Sequence, residues 1–237
     1  MPVISKLPRW VWAGAWALAF VAGIINTVGL LGFEHQAVTH LTGTTSMLAA
    51  ALASLDASTS LHLAVVIGAF VMGAVISGFL IQDSTLQLGR RYGVALLLES
   101  VLLCIAVPLL NRNSMLGLYS ASCACGLQNA MVSAYSGAVV RTTHLSGMFT
   151  DLGIFFGHFL RGLPVDARRL CLCVIVISGF GIGGIVGASA FHHLAYSTLF
   201  IPAGLTATSA LSYGIYRIRK RSTKRASPDR GKIGNGG

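Results

Sequence analysis

Two nearly identical polar pentapeptides carry the side chains best suited to chemistry, Thr-His-Leu-Thr-Gly at 39–43 and Thr-His-Leu-Ser-Gly at 143–147. Imidazole readily changes charge near neutral pH, so each histidine can bind a solute or relay a proton. Glycine lets a backbone approach a ligand closely. The alternative is that these residues only satisfy backbone polar groups, which are costly when unpaired in apolar surroundings. The candidate solute-binding residues of the pentapeptides are Thr39, His40, Thr42, Gly43, Thr143, His144, Ser146 and Gly147.

A short apolar segment follows each pentapeptide, 41–55 after the first and 145–160 after the second. Thr42 or Thr44, and Ser146, are placed to cap the helices that these segments predict. An uncovered helix N-terminus carries about half a positive charge and several free N–H groups. Two such termini facing each other predict a site for an anion or a small polar solute.

Amide side chains interrupt the two apolar segments that precede the pentapeptides. Asn26 and Asn129 end the matching sequences AGIIN (22–26) and CGLQN (125–129), and Gln128 precedes the second asparagine. A hydrogen bond between helices, worth about 1 kcal/mol, is a sufficient explanation for either asparagine alone. Because both stand at a similar distance before a pentapeptide, we also predict that Asn26, Gln128 and Asn129 border the solute site.

Three ionisable residues fall within apolar segments, where such residues are functional candidates. Asp151 lies one turn beyond Gly147, and Arg141, three residues before His144, is its predicted charge partner. Glu99, within LLLESVLLC, is either a coupling group or a buried, protonated carboxyl with one hydrogen bond. Arg141, Asp151 and Glu99 are the candidates for charge or proton coupling.

The composition indicates that these residues belong to a membrane protein. The 237-residue chain is 54% hydrophobic and only 10% charged, with a mean hydropathy of +0.73. A bilayer core about 30 Å thick needs roughly 20 apolar residues per helix. We therefore expect an all-α integral membrane protein with six main transmembrane helices and two short or re-entrant helices. The six long segments are 10–33, 61–81, 92–110, 115–135, 170–191 and 198–216.

The basic residues favour one topology. Most of the net charge of +10 lies in the tail, and we expect a transmembrane domain over 1–217 followed by a disordered cytoplasmic tail over 218–237. If the short segments re-enter, nearly all basic residues share one side, which the positive-inside rule assigns to the cytoplasm. Six spans in the cytoplasmic (inner) membrane, with both termini cytoplasmic, are favoured. Eight spans result if both short segments cross.

The pentapeptides belong to a longer internal repeat, about 10–112 and 113–217. A ridge of small residues recurs as well, at positions 69, 73 and 77 and again at 179, 183 and 187. Three spans per half would make the two halves enter the membrane from opposite sides. Inverted repeats with broken helices near the bilayer midplane are typical of secondary transporters.

Several other classes of function are disfavoured. The basic tail follows a span directly, which the positive-inside rule explains without nucleic acid. One helix cannot present both thiols of a Cys-x-Cys pair, at 123–125 or 171–173, to one ion, so no metal site is predicted. GFGIGGIVG (179–187) follows no strand and predicts helix packing rather than nucleotide binding. No HExxH or GxSxG motif occurs, so neither an enzyme nor a cofactor is expected.

Two stretches resemble motifs of a known family. GLQNAMVSAYSGAVVRTTHLSGMFTDLG (126–153) resembles the signature of the DUF1275, or YoaK-like (UPF0700), family of bacterial multi-pass membrane proteins. GIINTVGLLGFEHQAVTHLTGTTS (23–46) resembles its first-half motif, and the resemblance extends over about 10–217. It implies a six- or seven-span protein of the cytoplasmic membrane and little about chemistry. The family's motif residues carried by this chain are Gln128, Asn129, Arg141, Thr142, Thr143, His144, Ser146, Gly147 and Asp151.

The leading hypothesis is a transporter or permease for a small polar or anionic solute, with the lipid bilayer and that solute as its partners. The alternative is a non-transporting membrane protein, such as a partner-binding subunit or a sensor, in which the repeat is architecture only. A membrane enzyme has less support. The sequence leaves open the substrate, the direction, the coupling ion and whether the chain forms a homo-oligomer.

Overall fold

A computed structural model of the chain describes residues 9–81, 90–136 and 140–226. These residues form helices and contain no strand, so the all-α prediction is confirmed. A 3-10 helix, Ala195–Leu199, separates the last two α-helices. The α-helices are α1 (Arg9–Leu31), α2 (Leu41–Ala53), α3 (Ala57–Leu80), α4 (Arg90–Leu110), α5 (Met115–Ser136), α6 (Leu145–Leu160), α7 (Ala167–Leu194) and α8 (Phe200–Ala226).

Long apolar helices indicate a membrane-embedded protein. Within the described residues, four segments are long and apolar enough to cross a membrane: Trp10–Leu31, Ala57–Leu80, Arg91–Leu110 and Ala167–Ile215. The last of these includes α7, the 3-10 helix and much of α8. Large apolar side chains face outward, among them Phe79, which is 87% exposed. A surface of this kind suits lipid rather than water. The apolar helices α2 and α6, with 13 and 16 residues, are shorter.

Glycines set the closest helix contacts. Helix α1 packs along α7, and α3 packs along α5. A Cβ atom would overlap a backbone carbonyl of the facing helix at Gly23 or Gly183 in the first pair, and at Gly73 or Gly126 in the second. Lipid is as apolar as the helices, so van der Waals packing of small residues drives their association. The glycine-rich sequence at 179–187 therefore packs against α1, as predicted.

The remaining helices complete the bundle around these two pairs. Helix α4 lies against α5 and α8, while the short helices α2 and α6 pack on α3 and α7. The buried apolar residues form two clusters, one at the level of Val11 and Tyr135 and the other at the level of Ile25 and Leu118. The starts of α2 and α6 are thus held by helices whose own positions are fixed by glycine contacts.

Helix α8 extends to Ala226, beyond the boundary predicted at residue 217. Arginine, lysine and alanine are good helix formers, and cations are favourable near a helix C-terminus. The segment from 218 to 226, predicted to be disordered, is therefore helical. The rest of the predicted tail, 227–237, lies outside the described residues.

Candidate functional site

Each pentapeptide is hydrogen-bonded to the asparagine of the preceding long helix. In the first copy, Asn26 Oδ1 accepts from Thr39 Oγ1 at 2.8 Å and from the Thr39 backbone N–H at 3.3 Å. In the second copy, Asn129 Oδ1 accepts from Thr143 Oγ1 at 3.2 Å. The structure thus brings each predicted asparagine to the first residue of its pentapeptide. The same polar contact positions both loops.

The short helices begin without side-chain caps. His40 and His144 are the residues that cap α2 and α6, and neither side chain hydrogen-bonds to its helix. The predicted capping by Thr42 or Thr44, and by Ser146, is wrong. These hydroxyls lie inside the first turn because each helix begins directly after the histidine. No capping side chain therefore accepts a hydrogen bond from the N–H groups of the first turn. The positive end of each helix dipole stays uncompensated.

The two histidines lie within electrostatic range of each other but differ in their surroundings. The electrostatic influence of His144 on His40 indicates that the two loops face the same region of the molecule. The His40 ring is half-buried and packs against Phe180, with ring centroids 5.4 Å apart. His144 is exposed, and its ring occupies the space that a Cβ at Gly147 would need, whereas the equivalent space at Gly43 is open. The second loop thus holds its imidazole against the backbone of α6.

Asp151 pairs with Arg169 and not with Arg141. Arg169 Nη2 donates to both carboxylate oxygens of Asp151, at 3.2 and 3.1 Å. The predicted pair with Arg141 is wrong because α6 packs on α7, whose first turn carries Arg169 beside Asp151. Arg141 is exposed, and the ion pairs found among the described residues do not include it. The second loop therefore keeps one positive charge beside His144.

Glu99 and Gln128 are buried between helices, away from water. Glu99 is fully buried near Cys125, and neither of its carboxyl oxygens has a hydrogen-bond partner among the residues that the structure describes. Gln128, predicted to border the solute site, is 1% exposed and donates from Nε2 to the Leu18 carbonyl at 2.7 Å. Gln128 thus cross-links α5 to α1. No described residue is a hydrogen-bond partner of the Glu99 carboxyl, so Glu99 stays a candidate for proton chemistry.

A further polar cluster, which the internal repeat does not indicate, joins α3 and α5 to the loop after α1. His62 Nδ1 lies 3.0 Å from the Tyr119 hydroxyl, and His62 Nε2 lies 3.8 Å from Glu34 Oε2. The position equivalent to His62 in the second half is Leu172. Recurrence between the two halves therefore does not indicate this cluster.

Two long helices also begin at aspartate caps that were not predicted. Asp56 accepts from the Thr59 backbone N–H at 3.0 Å, and Asp166 accepts from the N–H groups of Arg168 and Arg169. Hydrogen bonds from the Thr59 side chain and backbone lower the pKa of Asp56 to about 2. An Asp four or five positions before the first Leu of an apolar run is a sequence signal that would have located both helix starts.

Metal ligands do not converge in the described part of the chain: no three His, Cys, Asp or Glu side chains there lie close enough to hold an ion. Among known proteins, a family model described as "Protein of unknown function (DUF1275)" matches residues 14–212. No curated protein and no solved structure matches the chain.

Proposed function

Because the chain belongs to the DUF1275 family, whose description assigns no function, we propose a function from the site itself: a membrane transporter for a small polar or anionic solute. The solute site lies between the starts of α2 and α6. The observation that carries this proposal is that two uncapped helix N-termini, each held by the same asparagine–threonine hydrogen bond, place His40 and His144 near one another. Helix N-termini favour anions through their free N–H groups and their dipoles.

The architecture proposed for this transporter is a pair of inverted repeats. The glycine contacts support it, because those between α1 and α7 have counterparts between α5 and α3. Gly183 meets the Phe20 carbonyl as Gly73 meets the Cys123 carbonyl, and Gly23 meets the Phe180 carbonyl as Gly126 meets the Phe70 carbonyl. The corresponding residues of α1 and α5 are 103 positions apart, and those of α3 and α7 are 110 apart. The first long helix of each half therefore packs against the third helix of the other half.

Six membrane crossings fit these helices. At 1.5 Å per residue, α2 and α6 measure only about 20 and 24 Å, short of a bilayer core of about 30 Å, so they re-enter. The proposal takes the segment Ala167–Ile215 as two crossings separated by the 3-10 helix. It takes α5, which has 22 residues but is not among the four apolar segments, as the sixth. Three crossings per half give the two halves opposite orientations. The basic residues at both ends of the chain then place both termini in the cytoplasm, with the protein in the cytoplasmic (inner) membrane.

In this mechanism the helix starts bind the solute and the charged residues couple its movement. A carboxylate or phosphate accepts hydrogen bonds from first-turn N–H groups of α2 and α6, and the imidazoles of His40 and His144 donate further bonds. Arg141 adds positive charge at the second loop. The pair formed by Asp151 and Arg169 ties α6 to α7, so a change in that pair would move the second half-helix. Glu99 carries the coupling proton.

Solute flux into proteoliposomes tests this proposal. With a panel of radiolabelled small anions and neutral polar solutes, we expect His144→Ala to lower the flux of the transported solute about 10- to 100-fold. This range corresponds to the loss of a charge-assisted hydrogen bond worth about 1.5–3 kcal/mol. Gly147→Ala should also lower the flux, because its Cβ displaces the His144 ring.

Gly43→Ala is the matched control, because it makes the same change in the first pentapeptide, where the space is open. It should leave the flux close to that of the wild type. We expect similar midpoint temperatures of thermal unfolding for His144→Ala, Gly147→Ala and Gly43→Ala, since His144 is exposed. Normal flux in both His40→Ala and His144→Ala would refute the mechanism. A loss of stability without a loss of flux would favour the partner-binding or sensor alternative.

A further inference from the structure

A cavity of about 270 Å³ lies at the end of the bundle where α1 and α4 begin. The last turns of α5 and residues of α8 complete its wall, and none of its lining residues belongs to the pentapeptides. The wall is almost wholly apolar, with Leu18, Leu96 and Met131 among its members. Ligand sites in proteins are commonly apolar cavities of a few hundred Å³. The cavity therefore lies outside the two pentapeptides and is suited to a hydrocarbon guest.

Aromatic side chains form one side of the cavity. Tyr135 is 94% buried, and its ring packs against Trp10 at a centroid distance of 5.6 Å and edge-on against Tyr92 at 5.4 Å. Tyr213 of α8 also lines the cavity. Tryptophan and tyrosine concentrate at the boundary between lipid tails and headgroups. Such a group of aromatic side chains is typical of the depth where an acyl chain meets its headgroup.

Arginines adjoin the lining residues in the sequence. Arg91 precedes Tyr92, Arg141 follows Val140, and Arg9 precedes Trp10. Arg91 and Arg141 are exposed, and the ion pairs found among the described residues include neither. Basic residues at the membrane surface attract anionic lipid headgroups, by about 1 kcal/mol for each Lys or Arg. An apolar cavity beside free positive charge complements a molecule with an apolar chain and an anionic head.

We propose that this cavity binds one acyl chain of an anionic phospholipid from the surrounding bilayer, whose phosphate head lies beside Arg91. The lipid fills the space between α1, α4, α5 and α8 and thereby joins helices of both halves of the chain. The bound lipid stabilises the folded protein because it binds that state and not the unfolded one. This proposal does not depend on the transport activity.

Thermal unfolding of the purified full chain in a neutral detergent tests the proposal. Phosphatidylglycerol is titrated in, and phosphatidylcholine with the same acyl chains serves as the lipid control. We expect phosphatidylglycerol to raise the midpoint temperature at concentrations where phosphatidylcholine has little effect. In Arg91→Gln, the concentration of phosphatidylglycerol for half of the effect should rise about fivefold, which corresponds to one lost surface charge.

A second variant fills the cavity with a larger side chain. Ala17 is exposed and lines the cavity, so Ala17→Trp should occupy it without disturbing buried residues and should abolish the response to phosphatidylglycerol. Ala13→Trp is the matched control, because Ala13 is exposed one turn earlier on α1 and is not part of the lining; its response should equal that of the wild type. Equal responses to the two lipids in the wild type would overturn the proposal. An undiminished response in Ala17→Trp would also overturn it.

Discussion

Gly183→Ala is expected to destabilise the protein by about 3 kcal/mol or more. Its Cβ would overlap the Phe20 carbonyl, and neither backbone can yield without separating α1 from α7. Overpacking of a close contact costs about 1–3 kcal/mol, and more where backbone atoms must move. Gly73→Ala should cost a similar amount, because its Cβ would overlap the Cys123 carbonyl between α3 and α5. Reversible unfolding in mixed detergent micelles measures both losses.

Glycines beside these positions are matched controls. Gly181 in α7 and Gly68 in α3 have open space where a Cβ would lie. Alanine has the higher helix propensity, by up to about 1 kcal/mol, so Gly181→Ala and Gly68→Ala should leave stability unchanged or slightly raised. Equal stability of Gly183→Ala and Gly181→Ala would contradict the close packing of α1 on α7.

Glu99→Leu is expected to stabilise the protein while impairing its function. A buried polar group without a partner costs about 1–3 kcal/mol, and Glu99 has two unpartnered oxygens within the described structure. Leucine has a similar size and removes this cost, so the midpoint of unfolding should rise. A residue that lowers stability and is nevertheless present suits a functional role, because functional sites often reduce stability.

Glu99→Gln distinguishes the effect of losing the proton from the effect of changing the side-chain shape. It retains the length and polarity of the carboxyl but cannot exchange a proton in the working pH range. If Glu99 carries the coupling proton, solute flux should vary with pH in the wild type and lose that variation in Glu99→Gln. A clear loss of stability in Glu99→Leu would show that the carboxyl has a partner and serves the fold.

The features of the fold and of the site that could be predicted depend on residues close together in the sequence. The helical class and the two short helices follow from hydropathy and segment length. The recurrence of Asn26 and Asn129 before the two pentapeptides predicts that both asparagines lie near them, and the structure adds the hydrogen bonds to Thr39 and Thr143. Comparison of the two copies of the repeat indicated which residues recur, and a single copy could not have shown this.

The side-chain partners that could not be predicted depend on contacts between helices that are distant in the sequence. Arg169 pairs with Asp151 across α6 and α7, whereas sequence proximity favoured Arg141. Gln128 bonds to the Leu18 carbonyl 110 residues away, and no pattern in the sequence indicates a backbone acceptor on another helix. The capping error arose because hydroxyl residues are the usual caps, while here each helix begins directly after a histidine.

Access of water to the two pentapeptides tests the central claim most directly. In a variant without the five native cysteines, His40→Cys and His144→Cys are treated with a membrane-impermeant thiol reagent from each side of the membrane. Leu55→Cys, 90% exposed between α2 and α3, is the reactive control, and Ala19→Cys, fully buried between helices, is the unreactive one. Both histidine positions are predicted to react from at least one side, and a transported anion should slow the reaction. Failure of both positions to react from either side would contradict a solute site between the half-helices.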